Sequence, residues 1–351
     1  MKLFETIREM GHEQVLFCHD QDANFKAIIA IHDSSLGRAM GGTRLWPYES
    51  EEAALRDVLN LSHAMTYKAA CANIPVGGGK AVIMANPENK TDELLESHGR
   101  FIESLKGRFI TGQDVNISPQ DVQVMHRETN YLAGLSEQAG GPAETTAFGV
   151  LVGIKAAAEF HLGRKKIEGL KVAVQGVGNV GKILCHYLHE HGVKLFVSDI
   201  SRERTEEIRK KYGATVVDFQ EIHSLDVDVF APCALGGIIN SSTISQLQAP
   251  IIAGSANNQL KDEELHSQIL ESKGILYCPD YVINAGGLIN VYNEMIGVGE
   301  DETLRQVHSI YNTLFEIFHK AQQERVTTQE ASKRLAKERI QQARALSQVA
   351  A

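Results

Sequence analysis

The sequence predicts an α/β protein of two domains separated by a cleft, and three observations carry that expectation. At 351 residues the chain is longer than one ordinary hydrophobic core supports, while its 43% hydrophobic content can fill two. Short apolar, β-branched runs alternate along it with longer stretches of helical spacing, the pattern of strands covered by helices. Midway, a strand, a glycine-rich turn, a helix and a second strand follow one another without a break from Lys171 to Asp199.

In chain order, Ala27-Ile28-Ile29-Ala30-Ile31 is a strand buried on both faces. It leads to a glycine turn, Met40-Gly41-Gly42-Thr43-Arg44. Ser50 is placed to N-cap a helix through Leu55 and Leu59 toward Met65. A second glycine turn, Gly77-Gly78-Gly79-Lys80, precedes a strand over residues 81–85. Residues 92–105 have helical spacing and stop at Gly107, after which Phe109-Ile110-Thr111 is a short strand ending in Gly112-Gln113-Asp114. Ser118-Pro119 opens the next helix. Residues 134–142, with Gly140-Gly141-Pro142, read as the hinge, and Thr145-Thr146-Ala147 opens a long helix. Thr327-Thr328-Gln329-Glu330 is a capping box for a last helix that should return to the first domain. The expected domains are 1–140 with 325–351, and 141–324.

Two lysines, Lys68 and Lys80, flank the second glycine turn. Lys80 leads into an apolar run, and burial disfavours a charged ammonium, drawing it toward the neutral form that a general base needs. A phosphate-cradling loop is excluded, because Ile74 stands where its first glycine belongs and Ala81 where its hydroxyl belongs. Taken alone, the pattern also fits a flexible turn with a solvated lysine. Asp114, at a strand end before a helix, fits either a turn residue or an acid–base group.

The strand Lys171-Val172-Ala173-Val174-Gln175 runs into Gly176-Val177-Gly178-Asn179-Val180-Gly181, a helix follows, and the strand after it ends in Asp199. This Gly-x-Gly-x-x-Gly turn, with an acid about 20 residues on, is a Rossmann dinucleotide-binding signature. Asp199 suits a ribose hydroxyl and would repel a 2′-phosphate, which favours NAD, although Arg202 and Arg204 lie close. Three further apolar runs end in Cys233-Ala234-Leu235, in Gly254-Ser255-Ala256-Asn257-Asn258 and in Asn284-Ala285-Gly286-Gly287. Read as strand ends of a doubly wound sheet, these loops line the cofactor crevice. His186, His189 and His191 fall on one helix with no zinc spacing and read as a solvated face, so no metal is expected.

A formal net charge of −9 and a single short basic run, Arg164-Lys165-Lys166, argue against nucleic acid and anionic membrane as partners. Five scattered cysteines without a Cys-x-x-Cys pair fit a reduced, cytoplasmic setting. No secretion signal and no stretch of membrane-spanning length is visible.

With these motifs together, the chain resembles the leucine/phenylalanine/valine branch of the amino acid dehydrogenases, related to glutamate dehydrogenase. Gly41-Gly42-Thr43-Arg44, Met65-Thr66-Tyr67-Lys68, Gly77-Gly78-Gly79-Lys80, residues 254–260 and residues 280–287 carry the resemblance, which is nearly full length. It implies a homo-oligomer, at least a dimer, that converts an amino acid reversibly to its 2-oxo acid and ammonia. It implies that Lys68 and Asn257 hold the substrate carboxylate, that Lys80 activates water, and that Asp114 handles the amino group. Thr146 and Asn284 would contact the nicotinamide carboxamide, and Arg44 the cofactor side. Arg204, Ala234, Leu235 and Ser255 join the glycine turn and Asp199 as expected cofactor contacts.

Substrate choice then falls to Met40, Gly41, Gly112, Leu288 and Val291. Met40 stands where glutamate-specific relatives carry a lysine, so a distal carboxylate would be unpaired. Glycine at 112, where leucine dehydrogenases usually have alanine, should add room. The strings at 68–75 and 112–117 look most like the tryptophan-specific members, which implies an aromatic substrate, tryptophan first, with leucine and phenylalanine as alternatives. Two readings from other classes explain less. A dinucleotide-binding regulator without catalysis leaves Lys68, Lys80 and Asp114 without a role, and a lysine Schiff-base lyase leaves the dinucleotide half without one.

Overall fold

The computed structural model describes residues 3–134 and 141–350, the side chains of 347–350 excepted. Residues 135–140, within the expected hinge, lie outside the described residues. The chain divides into two compact units. One comprises Met1–Glu137, Val291–Gly297 and Ala336–Ala351, and the other Gln138–Asn290 and Val298–Leu335.

The first unit is built on a six-stranded mixed sheet. Phe25–Asp33 is antiparallel to Gln14–Asp20 on one side and to Gly77–Met84 on the other. Ala39–Met40 and Thr43–Trp46 run parallel to successive halves of Gly77–Met84, and Phe109–Ile110 pairs with Ala39–Met40. Phe25–Asp33 has no polar face because both of its faces are covered. Ala27, Ile29 and Ile31 enter one core with Leu94, Leu95 and Ile102, whereas Ile28 and Ala30 enter another with Ala54, Leu55, Val58 and Leu59.

Those last four residues lie on helix Glu51–Ala72, which Ser50 caps by accepting from the backbone N–H of Ala53. The helix runs past Met65 to a left-handed Asn73, so Lys68 sits on its last turns rather than beyond it. Gly77, Gly78 and Gly79 are also not a turn but the first half of a strand. A Cβ would come within 2.2 Å of Asp33 O at Gly77, 2.1 Å of Thr66 Oγ1 at Gly78 and 2.6 Å of the Phe109 ring at Gly79. Close neighbours on both faces, not chain reversal, demand the three glycines.

Three imidazoles are buried in this unit. His12 lies 2.9 Å from Ser62 Oγ, His32 Nδ1 lies 2.7 Å from Thr66 Oγ1, and His98 Nε2 lies 2.8 Å from Thr43 Oγ1. Burial is the main cause that pushes His12 down to about 4 and His32 and His98 down to about 3. A folded-state pKa below the unfolded one means the unfolded chain takes up the proton first. Stability is therefore full above about pH 6.5 and falls as pH drops toward 4, by about 1.4 kcal/mol per pH unit for each ring. Urea midpoints followed from pH 7 to pH 5 should fall steeply, and the fall should be smaller in His98→Gln.

The second unit holds a six-stranded parallel sheet in the order Leu276–Tyr277, Ile251–Ile252, Val229–Pro232, Lys171–Gln175, Lys194–Ser198, Thr215–Val216. The order reverses direction beside Lys171–Gln175, the switch point of a doubly wound sheet. Residues 281–283, read from sequence as a strand, belong instead to helix Asp280–Ile283. The strand of that repeat is Leu276–Tyr277, and Pro279, with φ −53°, caps the helical turn that follows. A short apolar run carries no periodicity that separates strand from helix.

Candidate active site

In the first unit Lys80 and Asp114 meet. Lys80 comes from the central strand and is 5% exposed, and its Nζ lies 2.9 Å from Asp114 Oδ1. Burial pulls the Lys80 ammonium down from its ordinary value, and Asp114 only partly restores it. Burial pushes the Asp114 carboxyl the other way, but the charges of Lys80 and Arg44 outweigh it and hold the group below the usual carboxylate range. The pair is thus an ionised acid beside an amine biased toward its neutral form, which is the polarity a general base requires.

Arg44, expected on the cofactor side, has other partners in the structure. Its Nε donates to Asp114 Oδ2 at 2.9 Å and its Nη1 to Asp57 Oδ2 at 3.0 Å. The register of Thr43–Trp46 beside residues 81–84 places its guanidinium there, between two carboxylates that no local motif links. Lys68, half-buried, lies on the same helix as Asp57.

The Gly41-Gly42 pair is dictated by this arrangement. A Cβ at Gly41 would stand 1.8 Å from Gly79 O, and one at Gly42 would stand 2.9 Å from the Cβ of Asp114. The chain passes this close to the acid only with hydrogen in both places. Met40 is buried beside them. Gly112 differs from the expectation of added room: its missing Cβ would point at Ala133 O, 2.7 Å away, because Thr111 bridges to Leu132. Close backbone approach, not an open pocket, accounts for that glycine. Leu288 and Val291, three apart on helix Gly286–Met295, share a helix face.

In the second unit the three glycines of the motif have three different reasons. Gly176 has φ +93° and would carry a Cβ 2.7 Å from that of Ala234. Gly181 would carry one 2.0 Å from Gly176 O, so only hydrogen lets helix and turn close up. Gly178 has nothing within 4 Å of its missing Cβ and caps helix Asn179–Glu190 without a side-chain bond, leaving open space at a helix N-terminus. Val177 is buried, while Asn179 is exposed and Val180 half-buried at the helix start. Asp199 is fixed by Val177 N–H on Oδ2 and Ser201 N–H on Oδ1, each at 2.9 Å. A carboxylate has about four lone-pair sites, so acceptors remain for a sugar. The turn thus fits a dinucleotide pyrophosphate and ribose. Arg204 and Leu235 are both exposed nearby in sequence to Asp199 and Ala234.

Asn284 Nδ2 donates to Ser255 O at 3.1 Å and to Asn257 Oδ1 at 2.6 Å. Asn257 is exposed, and with its oxygen accepting from Asn284 its NH2 is the group left to donate to a carboxylate. Thr146 lies against Gly287, where a Cβ would come 2.8 Å from Thr146 Oγ1. Among the described residues no group of three or more His, Cys, Asp or Glu is arranged to hold a metal ion. No described helix is long and apolar enough to cross a membrane.

Sequence reasoning missed Asp57 and Tyr48. Asp57 follows Glu51 and Glu52 on the same helix, and nothing in the sequence around it distinguishes it from them.

Fold and site together define an oxidoreductase that works with a nicotinamide dinucleotide. The chain matches the family models described as Glu/Leu/Phe/Val dehydrogenase, dimerisation domain, over residues 12–134, and Glutamate/Leucine/Phenylalanine/Valine dehydrogenase over residues 140–202 and 197–347. It belongs to this family and is an amino acid dehydrogenase. It is 66% identical to the L-tryptophan dehydrogenase of Nostoc punctiforme over 97% of this chain and 96% of that protein. To the leucine dehydrogenase of Geobacillus stearothermophilus it is 47% identical, over 97% and 94%. The crystal structure of L-tryptophan dehydrogenase from Nostoc punctiforme superposes with a TM-score of 0.89 at 64% identity, covering 97% of this chain and 99% of that one.

Proposed function

We propose that this protein catalyses NAD-dependent, reversible oxidative deamination of L-tryptophan to the 2-oxo acid and ammonia, as a cytoplasmic homo-oligomer of at least two subunits. The observation that carries the chemistry is the buried Lys80 amine 2.9 Å from Asp114. Identity to the Nostoc punctiforme enzyme supports tryptophan. The family model for residues 12–134, described as a dimerisation domain, supports self-association.

Residues 1–140 with 325–351 take the substrate role and 141–324 the dinucleotide role. Lys68 and Asn257 hold the substrate carboxylate. The bound nicotinamide supplies the hydride acceptor for the substrate α-carbon. Lys80, which burial draws toward its neutral form, takes a proton from water as the water oxygen attacks the imino carbon. Asp114, ionised beside it, takes a proton from the substrate ammonium before hydride transfer. After water adds, the protonated Lys80 gives its proton to the carbinolamine nitrogen. Neutral again, Lys80 removes the hydroxyl proton as the C–N bond breaks, so that ammonia and the 2-oxo acid leave and the two held protons pass to solvent. Met40 offers no charge to a second carboxylate, which disfavours glutamate.

The test is the appearance of NADH absorbance across a panel of amino acids. Tryptophan is expected to exceed phenylalanine and leucine; preference for leucine would overturn the substrate, and no turnover with any apolar amino acid would overturn the reaction. Asp199→Asn, which keeps an acceptor for the turn but removes the charge, should improve the NADP-to-NAD ratio of kcat/KM by roughly 10- to 100-fold.

A further inference from the structure

The contacts of Asp114 extend to residues that have no role so far. Arg44 holds Asp114 Oδ2 with Nε and Asp57 Oδ2 with Nη1, and the same oxygen of Asp57 accepts the Tyr48 hydroxyl at 2.5 Å. Four separate pieces of chain meet here. Arg44 lies on strand Thr43–Trp46, Tyr48 on the loop after it, Asp57 on helix Glu51–Ala72, and Asp114 on the loop after strand Phe109–Ile110.

A guanidinium is planar and rigid, so fixing two of its nitrogens fixes its plane. Held by Asp114 alone, Arg44 would turn about its stem and carry the carboxylate with it. Pinned by Asp57 as well, it presents Nε in one direction. Asp114 then has one oxygen assigned to Arg44 and the other to Lys80, and no freedom to rotate. The side chains of Arg44, Asp57 and Asp114 are all between 23% and 29% exposed, so water competes only partly for these bonds. Charge follows the same line. With Lys80 neutral the cluster of Lys80, Asp114, Arg44 and Asp57 is net negative, and Asp57 favours proton retention on Lys80 while Arg44 opposes it.

We propose that Asp57, supported by Tyr48, is a positioning residue of this reaction, acting through Arg44 to fix the direction of Asp114 and hence the place of the Lys80 amine. The proposal rests on the catalytic roles given above to Lys80 and Asp114.

The experiment is a double-mutant cycle of Asp57→Asn, Arg44→Gln and the pair, read as kcat and KM with the best substrate of the panel. Asp57→Asn is expected to lower kcat on the order of 10- to 100-fold while KM stays within about threefold. The double variant should be little slower than Arg44→Gln alone, since the positioning of Asp114 by Asp57 runs through that residue and only its direct charge effect on Lys80 remains. Asp57→Glu should recover part of kcat. The pH dependence of Lys80 acylation by acetic anhydride, followed by peptide mass spectrometry, should move to lower pH in Asp57→Asn, a shift that a merely structural role would not produce.

Penalties that multiply in the double variant, or an unmoved acylation curve, would overturn the proposal. Should Asp57→Asn fail to fold, Tyr48→Phe takes its place in the same cycle, with a smaller loss expected. Asp114→Asn separates the two levels. If it is inactive while Asp57→Asn is unimpaired, only the positioning role falls; if it is fully active, the catalytic assignment falls first.

Discussion

Lys80→Ala is expected to lower turnover by about 10²- to 10⁴-fold, the range that a positioned general base contributes, while binding of the dinucleotide stays within a few-fold of the unaltered protein. The separation is expected because Lys80 belongs to the first unit and the Gly176–Gly181 turn to the second. The variant should also fold at least as well. Removing a buried amine leaves Asp114 with Arg44 as a partner, so no carboxylate is orphaned. Steady-state rates and quenching of protein fluorescence by NADH measure the two quantities side by side. Loss of both to the same extent would remove Lys80 from the chemistry and make it a structural lysine.

Gly78→Ala should have the largest effect on stability. Its Cβ would stand 2.1 Å from Thr66 Oγ1, 2.3 Å from Thr66 N and 2.6 Å from Ser62 O, so helix Glu51–Ala72 itself has to move. A backbone shift of this kind costs about 3 kcal/mol, which lowers Tm by roughly 6–12 °C for a domain of this size. Activity should fall as well, because that helix carries Lys68 and Asp57. Gly178→Ala is the control. Nothing lies within 4 Å of its Cβ and its φ is −71°, so Tm should hold while dinucleotide binding weakens. Thermal melts with and without NAD distinguish the two variants directly. Equal Tm losses would mean that the packing at Gly78 is slack.

How much of this was legible in the sequence depends on how far apart the interacting residues lie. The Gly176–Gly181 turn with its strand, helix and acid reads directly, because its parts follow one another in the chain at fixed spacing. Lys80 and Asp114 are visible as candidates from what surrounds each of them, but the 2.9 Å contact joins a strand residue to one on a distant loop and has no local signature. Gly77, Gly78 and Gly79 read as a turn because glycine usually marks one. Their real cause is long-range: a helix, a loop and an aromatic ring press on the strand from both faces. The same applies to Gly112, whose neighbour is Ala133, and to Arg44, whose second carboxylate lies a helix away. Residues 281–283 read as a strand because three apolar residues fit either kind of element, and only the earlier end of the strand at Tyr277 decides.

The last helix, Thr328–Ala350, belongs to both units, to the second through Leu335 and to the first from Ala336. Arg339 donates to the carbonyls of Ala70 and Cys71 at 3.0 and 2.9 Å, closing the end of helix Glu51–Ala72, and Arg344 pairs with Asp33. On the ribosome, helix Glu51–Ala72 therefore waits for a residue translated 268 positions after Cys71 before Arg339 closes its end. A nascent chain released before residue 339 lacks the Arg339 bonds to Ala70 O and Cys71 O at that helix end, and limited proteolysis of such intermediates should cut near Asn73.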